Sequence, residues 1–380
     1  MERKEVEQQL FALLAELVAI PSTFPPGDTS RIAAYCGDFL AACGYAVSIH
    51  ERRKGVQNVV GRKGRATPSL IFNAHADTVD VGARSAWRSD PWKATLTDGR
   101  VYGLGACNSK SAMAVHLWLA REIAAKGGPA RGELAFSFVG DEENLGPDGM
   151  AYLRESSALR PDILVVAAQT SNRLVLEERG VMWVRATTRG RAAHAGAPQH
   201  GDSAILRMNQ VISRIQADLL PQIETRKSPG GQQSTLSIGK IRGGENTNVV
   251  PDTCAIEIDR RILPQEDFDA AFEELKRFLG SAGAQEVELL TGTAGFSARE
   301  DGVAVRAFSG ALREVTGKAP ERLNVVGASD ARYFARDGAE IIVFGPGDGA
   351  DSHKPNESVP LAEMAEAALI QLHAVKSILG

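Results

Sequence analysis

Cysteine is scarce: Cys36, Cys43, Cys107 and Cys254 are four in 380 residues, with no CxxC spacing. That excludes a disulfide framework, and the four read as reduced thiols of a cytoplasmic protein. No run of 18 apolar residues occurs, so a transmembrane helix is not expected. In the opening MERKEVEQQLFALLAELVAIPS, Glu and Gln interrupt the apolar positions. It reads as an amphipathic helix and not as a signal peptide. Charge of one sign is not in excess either: 43 Lys and Arg stand against 47 Asp and Glu, a net −4 without a basic stripe. Neither nucleic acid nor a membrane is an expected partner. Internal repeats and low-complexity tracts are also missing.

What is present is an ordinary globular composition, 43% apolar and 24% charged. At roughly 100–200 residues per domain the length predicts two domains. Helical spacing marks residues 3–19, with Leu10, Leu13, Leu14 and Leu17 on one face, and residues 28–43. Short strands are expected at 46–49 and 58–60. The apolar runs 69–74, 134–139 and 163–167 read as buried strands, and 110–125 as a helix. Strands alternating with helices predict an α/β fold with a mixed, mainly parallel sheet.

The pattern changes after Leu176. Residues 180–188, 234–238 and 254–260 alternate apolar and polar side chains, as one-sided antiparallel strands do. With a strand at 287–290 and helices at 202–217 and 265–279, they predict an inserted α+β domain. After residue 292 the first pattern resumes: helix 304–315, strands 323–326 and 341–344, helix 362–378. The expected organisation is a discontinuous catalytic domain, residues 1–178 and 292–380, around an insert at 179–291.

Candidate chemistry sits at the ends of the buried runs. His75 and Asp77 follow the strand at 69–74, and a carboxylate beside an imidazole fixes the tautomer of a metal ligand. Such a pair also serves merely to bond strand-end backbone. Asp141, Glu142 and Glu143 follow the strand at 134–139. Three adjacent acids repel one another unless a cation or base neutralises them. Gly103–Lys110 precedes a helix but fits neither GxGxxG nor GxxxxGK[ST], and alone reads as a tight turn. His194 is flanked by small residues, and a Gly/Pro turn presents His353. His50, His116, His200 and His373 have no such context and read as structural.

Taken in order, HAD at His75, GLGAC at Gly103, DEE at Asp141, RGRAAHAG at Arg189, NVVPD at Asn248, SDARYF at Ser329, FGPG at Phe344 and HKPNE at His353 resemble one family. It is the di-zinc family of aminoacylases, acetylornithine deacetylases, succinyl-diaminopimelate desuccinylases and glutamate carboxypeptidases. The resemblance implies a catalytic α/β domain and an inserted lid domain at 179–291 that mediates dimerisation, hence a homodimer. It implies His75 as a metal ligand oriented by Asp77, Glu142 as the general base, and Glu143 and His353 as further metal ligands. His194 resembles the lid histidine that steadies the oxyanion. Asn248, Arg261 and Arg332 resemble substrate contacts, with Arg332 gripping the carboxylate.

The chain departs from that pattern twice. Asn108 stands where the family places a bridging Asp, and offers only a neutral carbonyl. Ala167-Ala168-Gln169-Thr170 stands where an acidic ligand precedes Pro-Thr, and Ala168 cannot bind a metal. A zinc site usually takes three protein ligands and an open position. The expected cofactor is therefore one labile divalent ion (Zn, Mn or Co) on His75, Glu143 and His353, or none. The expected activity is hydrolysis of an amide bond in an N-acyl amino acid or similar small carboxylate, deacylase- or carboxypeptidase-like. One alternative is metal-poor or metal-free acid/base chemistry on a small carboxylate: transfer, elimination or isomerisation. A second is a non-catalytic binding protein, which would not need Glu142, His194 and Arg332.

Overall fold

The computed structural model of the chain describes residues 2–65, 67–325 and 327–380. Its principal elements begin with α1 (Arg3–Val18), α2 (Ser30–Ala42), β1 (Ala46–Glu51), β2 (Gln57–Gly64), β3 (Ser69–His75), α3 (Lys110–Ala125), β4 (Glu133–Val139) and β5 (Ile163–Val166). There follow β6 (Gly180–Arg189), α4 (Ala204–Arg214), β7 (Thr235–Gly243), β8 (Thr253–Ile262), α5 (Phe268–Ala282) and β9 (Glu286–Thr293). The chain closes with α6 (Val303–Thr316), β10 (Glu340–Val343) and α7 (Leu361–Leu379). Two compact units result. One comprises Met1–Leu176, Ala298–Leu323 and Ser329–Gly380; the other Glu177–Ser297 and Asn324–Ala328.

The first unit is built on a six-stranded sheet in the order β10-β5-β3-β4-β2-β1. The three pairings from β10 to β4 are parallel, and the two at the β1 side are antiparallel. The sheet is mixed and mainly parallel, as the alternation of buried runs with helices predicts. Every residue of β3 is buried, which is why its sequence is a continuous apolar run. The edge strand β1 is largely exposed and correspondingly mixed in character. Leu10 and Leu14 of α1, Phe72 of β3, Trp118 of α3, Phe136 of β4 and Phe308 of α6 share one core. The Trp118 indole N–H donates to Gln9 Oε1 at 2.8 Å, so the largest core side chain leaves no polar atom unpaired.

Because β3, β4, β5 and β10 run parallel, the loops leaving them emerge along one edge. That carboxyl edge is where an open α/β sheet places its ligands. A small three-stranded sheet, residues Thr95–Thr97, Arg100–Tyr102 and Ser358–Pro360, has no counterpart in the sequence reading. Each of its strands is three residues long, too short to show a period.

The second unit is an antiparallel sheet ordered β7-β8-β6-β9. Burial alternates strictly along β8. Ile256, Ile258 and Ile262 pack with Met182 and Val184 of β6 against Met208 and Val211 of α4 and Leu275 and Leu279 of α5. Arg260 lies in the same buried row. Its guanidinium donates to the Ala271 carbonyl at 3.0 Å and meets Glu274 at 3.1 Å, which satisfies a charge that could not otherwise be buried.

Two expectations need correction. The helix predicted over residues 202–217 is α-helical only to Arg214, then passes through a π turn at Ile215–Leu219. Pro221 lacks an N–H and cannot bond the Ala217 carbonyl, so the regular ladder cannot continue. The strand expected at 323–326 is absent over Leu323–Val325, and Val326 lies outside the described residues. Only Arg322 forms a bridge there, to Leu174. Arg332 itself sits in a short 3-10 turn, Asp330–Phe334.

Candidate functional site

His75 closes β3, and Asp141, Glu142 and Glu143 follow β4. Ala168 and Gln169 follow β5, and His353 lies beyond β10 in a turn. The carboxyl edge of the parallel strands thus collects motifs that are up to 278 residues apart, from His75 to His353.

Asn108 is at the centre. Its Oδ1 lies 2.8 Å from His75 Nε2 and also accepts from Gln169 Nε2. Its Nδ2 donates to Glu143 Oε1 at 2.7 Å, and His353 Nε2 lies 2.9 Å from that nitrogen. His353 Nε2 is also 2.9 Å from Glu143 Oε1. A flipped amide would set oxygen against the Glu143 carboxylate, so the carboxylate fixes the orientation. The Asn108 backbone is held just as firmly. Glu357 accepts from the N–H groups of Gly105, Cys107 and Asn108 at 3.0, 2.9 and 2.7 Å. Burial nonetheless pushes the Glu357 carboxyl above its usual range. Gly105 turns this loop at φ +74°, where a Cβ would lie 2.6 Å from Thr78 Cγ2.

His75 Nδ1 faces the Asp77 backbone carbonyl at 2.9 Å, while the Asp77 carboxylate stands 3.5 Å away. The sequence-based expectation that the carboxylate orients His75 is thus met mainly by its main chain. The fully buried Asp77 carboxylate accepts instead from the Glu143 N–H at 3.1 Å. Burial would lower the His75 pKa, but Glu142, Asp77 and Glu143 outweigh it and hold the ring well above its ordinary value. Both ring nitrogens face oxygen acceptors, which favours the protonated form in the same direction.

The three consecutive acids part company. Asp141 accepts from Arg53 Nη2 at 3.1 Å and from the Asp148 N–H at 3.0 Å, so it is neutralised away from the cluster. Glu142 Oε2 lies 3.9 Å from His75 Nε2. Burial, reinforced by Asp330 and Glu143, raises the Glu142 carboxyl well above the usual range, against His75 and Arg332. Asp330 is raised too, chiefly by burial, and its Oδ2 has no partner among the described residues. The buried Arg332 donates to the Ser329 carbonyl at 3.0 Å and to Tyr333 Oη at 2.9 Å. Its guanidinium lies 4.4 Å from the Tyr333 ring centroid. Cys107 is no thiolate donor: burial pushes its thiol up to about 12.

Ligand atoms of His75, Glu142 and Glu143 come within 4.8 Å of one another. Ala168 offers none. His194, Asn248 and Arg261 belong to the second unit. His194 is exposed, and its Nδ1 accepts from the Gly196 N–H at 3.0 Å, which places the ring proton on Nε2. Asn248 is exposed, and Arg261 is paired with Asp259 at 2.8 Å on its own strand. Sequence reading missed Glu357, Asp330 and Tyr333 as participants. Glu357 stood inside HKPNE, and Asp330 and Tyr333 inside SDARYF, so the motifs contained the signal but not the partners.

Comparison with known proteins accords with this geometry. Residues 71–377 match the model of Peptidase family M20/M25/M40. A succinyl-diaminopimelate desuccinylase of Caulobacter sp. (strain K31) is 30% identical, over 83% of this chain and 82% of its own. An acetylornithine deacetylase of Myxococcus xanthus is 29% identical, over 98% of both. A Bacillus subtilis protein described as a dinuclear metal-binding peptidase shares the fold at a TM-score of 0.75. Its identity is 16%, covering 99% of both chains. Among the described residues no helix is long and apolar enough to cross a membrane. The chain belongs to Peptidase family M20/M25/M40, a family of hydrolases that act on C–N bonds.

Proposed function

We propose that this protein hydrolyses the amide bond of an N-acyl amino acid or a similar small carboxylate. The observation that carries this reading is the placing of Glu142. Its carboxyl is largely buried at the strand edge, 3.9 Å from His75 Nε2 and within the field of the Arg332 guanidinium. One group there can move a proton while another holds an anion. The names of the desuccinylase and deacetylase relatives, both acting on acylated amino acids, support the same class.

In this reaction water attacks the amide carbon and gives a proton to Glu142. The C–N bond then breaks, and Glu142 returns the proton to the leaving nitrogen. Arg332, oriented by Ser329 and stacked on Tyr333, receives the substrate carboxylate. The roles of His194 at the oxyanion and of Asn248 and Arg261 as substrate contacts rest on the family resemblance alone.

The residues present do not fit a dinuclear metal centre. A bridging carboxylate is replaced by the Asn108 amide, whose nitrogen and not its oxygen faces Glu143 and His353. Ala168 supplies no ligand at the other departure. At most one labile ion has a place on His75, Glu143 and His353, and no step above is routed through it.

The test is turnover of a panel of N-succinyl, N-acetyl and N-acylated dipeptide substrates by wild type and Glu142→Gln. Gln keeps the volume but cannot carry the proton. The expected result is hydrolysis by wild type and a loss of about 10²-fold or more in kcat for the variant, with its melting temperature retained. Near-normal turnover by Glu142→Gln would move the proton-transfer role elsewhere. No turnover of any acylated amino acid by wild type would sink the reading.

A further inference from the structure

The two departures from the family pattern lie far apart in sequence, at Asn108 and at Ala168-Gln169. In the folded chain they touch: Gln169 Nε2 donates to Asn108 Oδ1. Drift at two unrelated positions gives no reason for the replacements to satisfy each other. Here the amide oxygen of Asn108 is saturated by His75 and Gln169, and its nitrogen serves Glu143. The atoms that would face a cation, His75 Nε2, Glu143 Oε1 and His353 Nε2, all lie within 2.9 Å of the Asn108 amide.

We propose that the Asn108 amide, completed by Gln169, has replaced the metal as the centre that organises this pocket, so that the site is held together by hydrogen bonds and needs no divalent ion. This rests on reading the pocket as the reaction site. The physical reasons are two. An amide N–H pointing at Glu143 and His353 puts positive hydrogen where a cation would sit. Loss of two carboxylates removes two negative charges that a divalent ion needs, while the amide cross-links the same side chains without desolvating an ion. Asn108 and Gln169 are positioning residues in this account.

Metal content of the purified full chain tests the proposal without any substrate. Wild type would be dialysed against EDTA, then against buffer, and titrated with zinc chloride and manganese chloride by calorimetry. We expect well under one equivalent of metal per chain after dialysis and no change in melting temperature with EDTA. Asn108→Asp/Ala168→Glu rebuilds the ligand set and should bind zinc at least about tenfold more tightly than wild type, with a melting temperature that falls on chelation. Asn108→Ala should lower the melting temperature equally with and without EDTA, because it leaves His75 and Gln169 unpaired. Wild type that keeps one equivalent of zinc through EDTA, or that loses melting temperature on chelation, overturns the proposal. So does a double variant that folds and binds zinc no better than wild type. The hydrolysis reading fails on a different readout, turnover, so the two failures are distinguishable.

Discussion

Arg332 illustrates how a single side chain can be committed before any substrate arrives. Its guanidinium donates to the Ser329 carbonyl and to Tyr333 Oη, and lies over the Tyr333 ring, so its plane is fixed. A planar fork held in that way offers two parallel hydrogen bonds to a carboxylate; an ammonium offers a point charge and cannot stack in the same manner. We expect Arg332→Lys to raise KM for free-acid substrates by about tenfold or more, the equivalent of one charge-assisted hydrogen bond. With esterified or amidated substrates the variant and wild type should perform equally poorly. Steady-state kinetics on the two substrate forms decide it. Equal KM for free acid in both proteins would mean that no anion is held there.

At the scale of an element, the loop from Gly103 to Asn108 shows how a turn without a recognisable phosphate-binding pattern is nonetheless rigid. Three of its N–H groups converge on the buried Glu357 carboxylate, which arrives from a strand of the small sheet, Ser358–Pro360, through its preceding residue. The turn therefore serves to fix where Asn108 stands at the start of α3. Glu357→Ala should leave three buried donors without an acceptor and destabilise the protein by about 3 kcal/mol or more. Urea unfolding measures it. Glu357→Gln, which keeps one acceptor oxygen, should lose less. A Glu357→Ala protein as stable as wild type would mean that water takes over the three donors.

At the scale of the whole molecule, the core carries one titratable side chain with a consequence for pH stability. His116 of α3 is fully buried among Phe72, Phe136 and Phe138. Its ring nitrogens have no partner among the described residues, and burial pushes its pKa down to about 3. The folded chain keeps the ring neutral, whereas the unfolded chain takes up a proton near its ordinary value of about 6.5. Between these values the unfolded state binds the extra proton, so stability is fully present above about pH 6.5 and falls as the pH drops towards 3. The limiting slope for this group is about 1.4 kcal/mol per pH unit. His116→Phe should flatten the acid limb of a stability–pH curve by that amount while leaving the neutral plateau folded. An unchanged acid limb would assign the loss of stability to the site carboxylates instead.

How much of this was legible beforehand follows from range. Periodicity and apolar runs depend on which face of a strand or helix meets the core, a property each segment carries alone. That is why α3, β3 and β8 stood where the sequence pointed, and why the mixed sheet followed from their alternation. The residue types at His75, Glu142, Glu143 and His353 marked candidate chemistry in the same local way, whereas a role for Arg332 came only from the family resemblance. What only the tertiary structure decided is who faces whom. That Asp141 turns to Arg53 and leaves Glu142 and Glu143 to the site depends on a side chain 88 residues away. That Glu357 grips the loop around Asn108 is a contact across 249 residues. In the sequence Asn108 and Ala168-Gln169 are two separate departures from the family pattern. Folding brings the ends of β3, β4 and β5 to one edge, and only there do the two amides become donor and acceptor of a single bond. Hydrogen bonds act over about 3 Å, and nothing in a linear order states which residues will be that close.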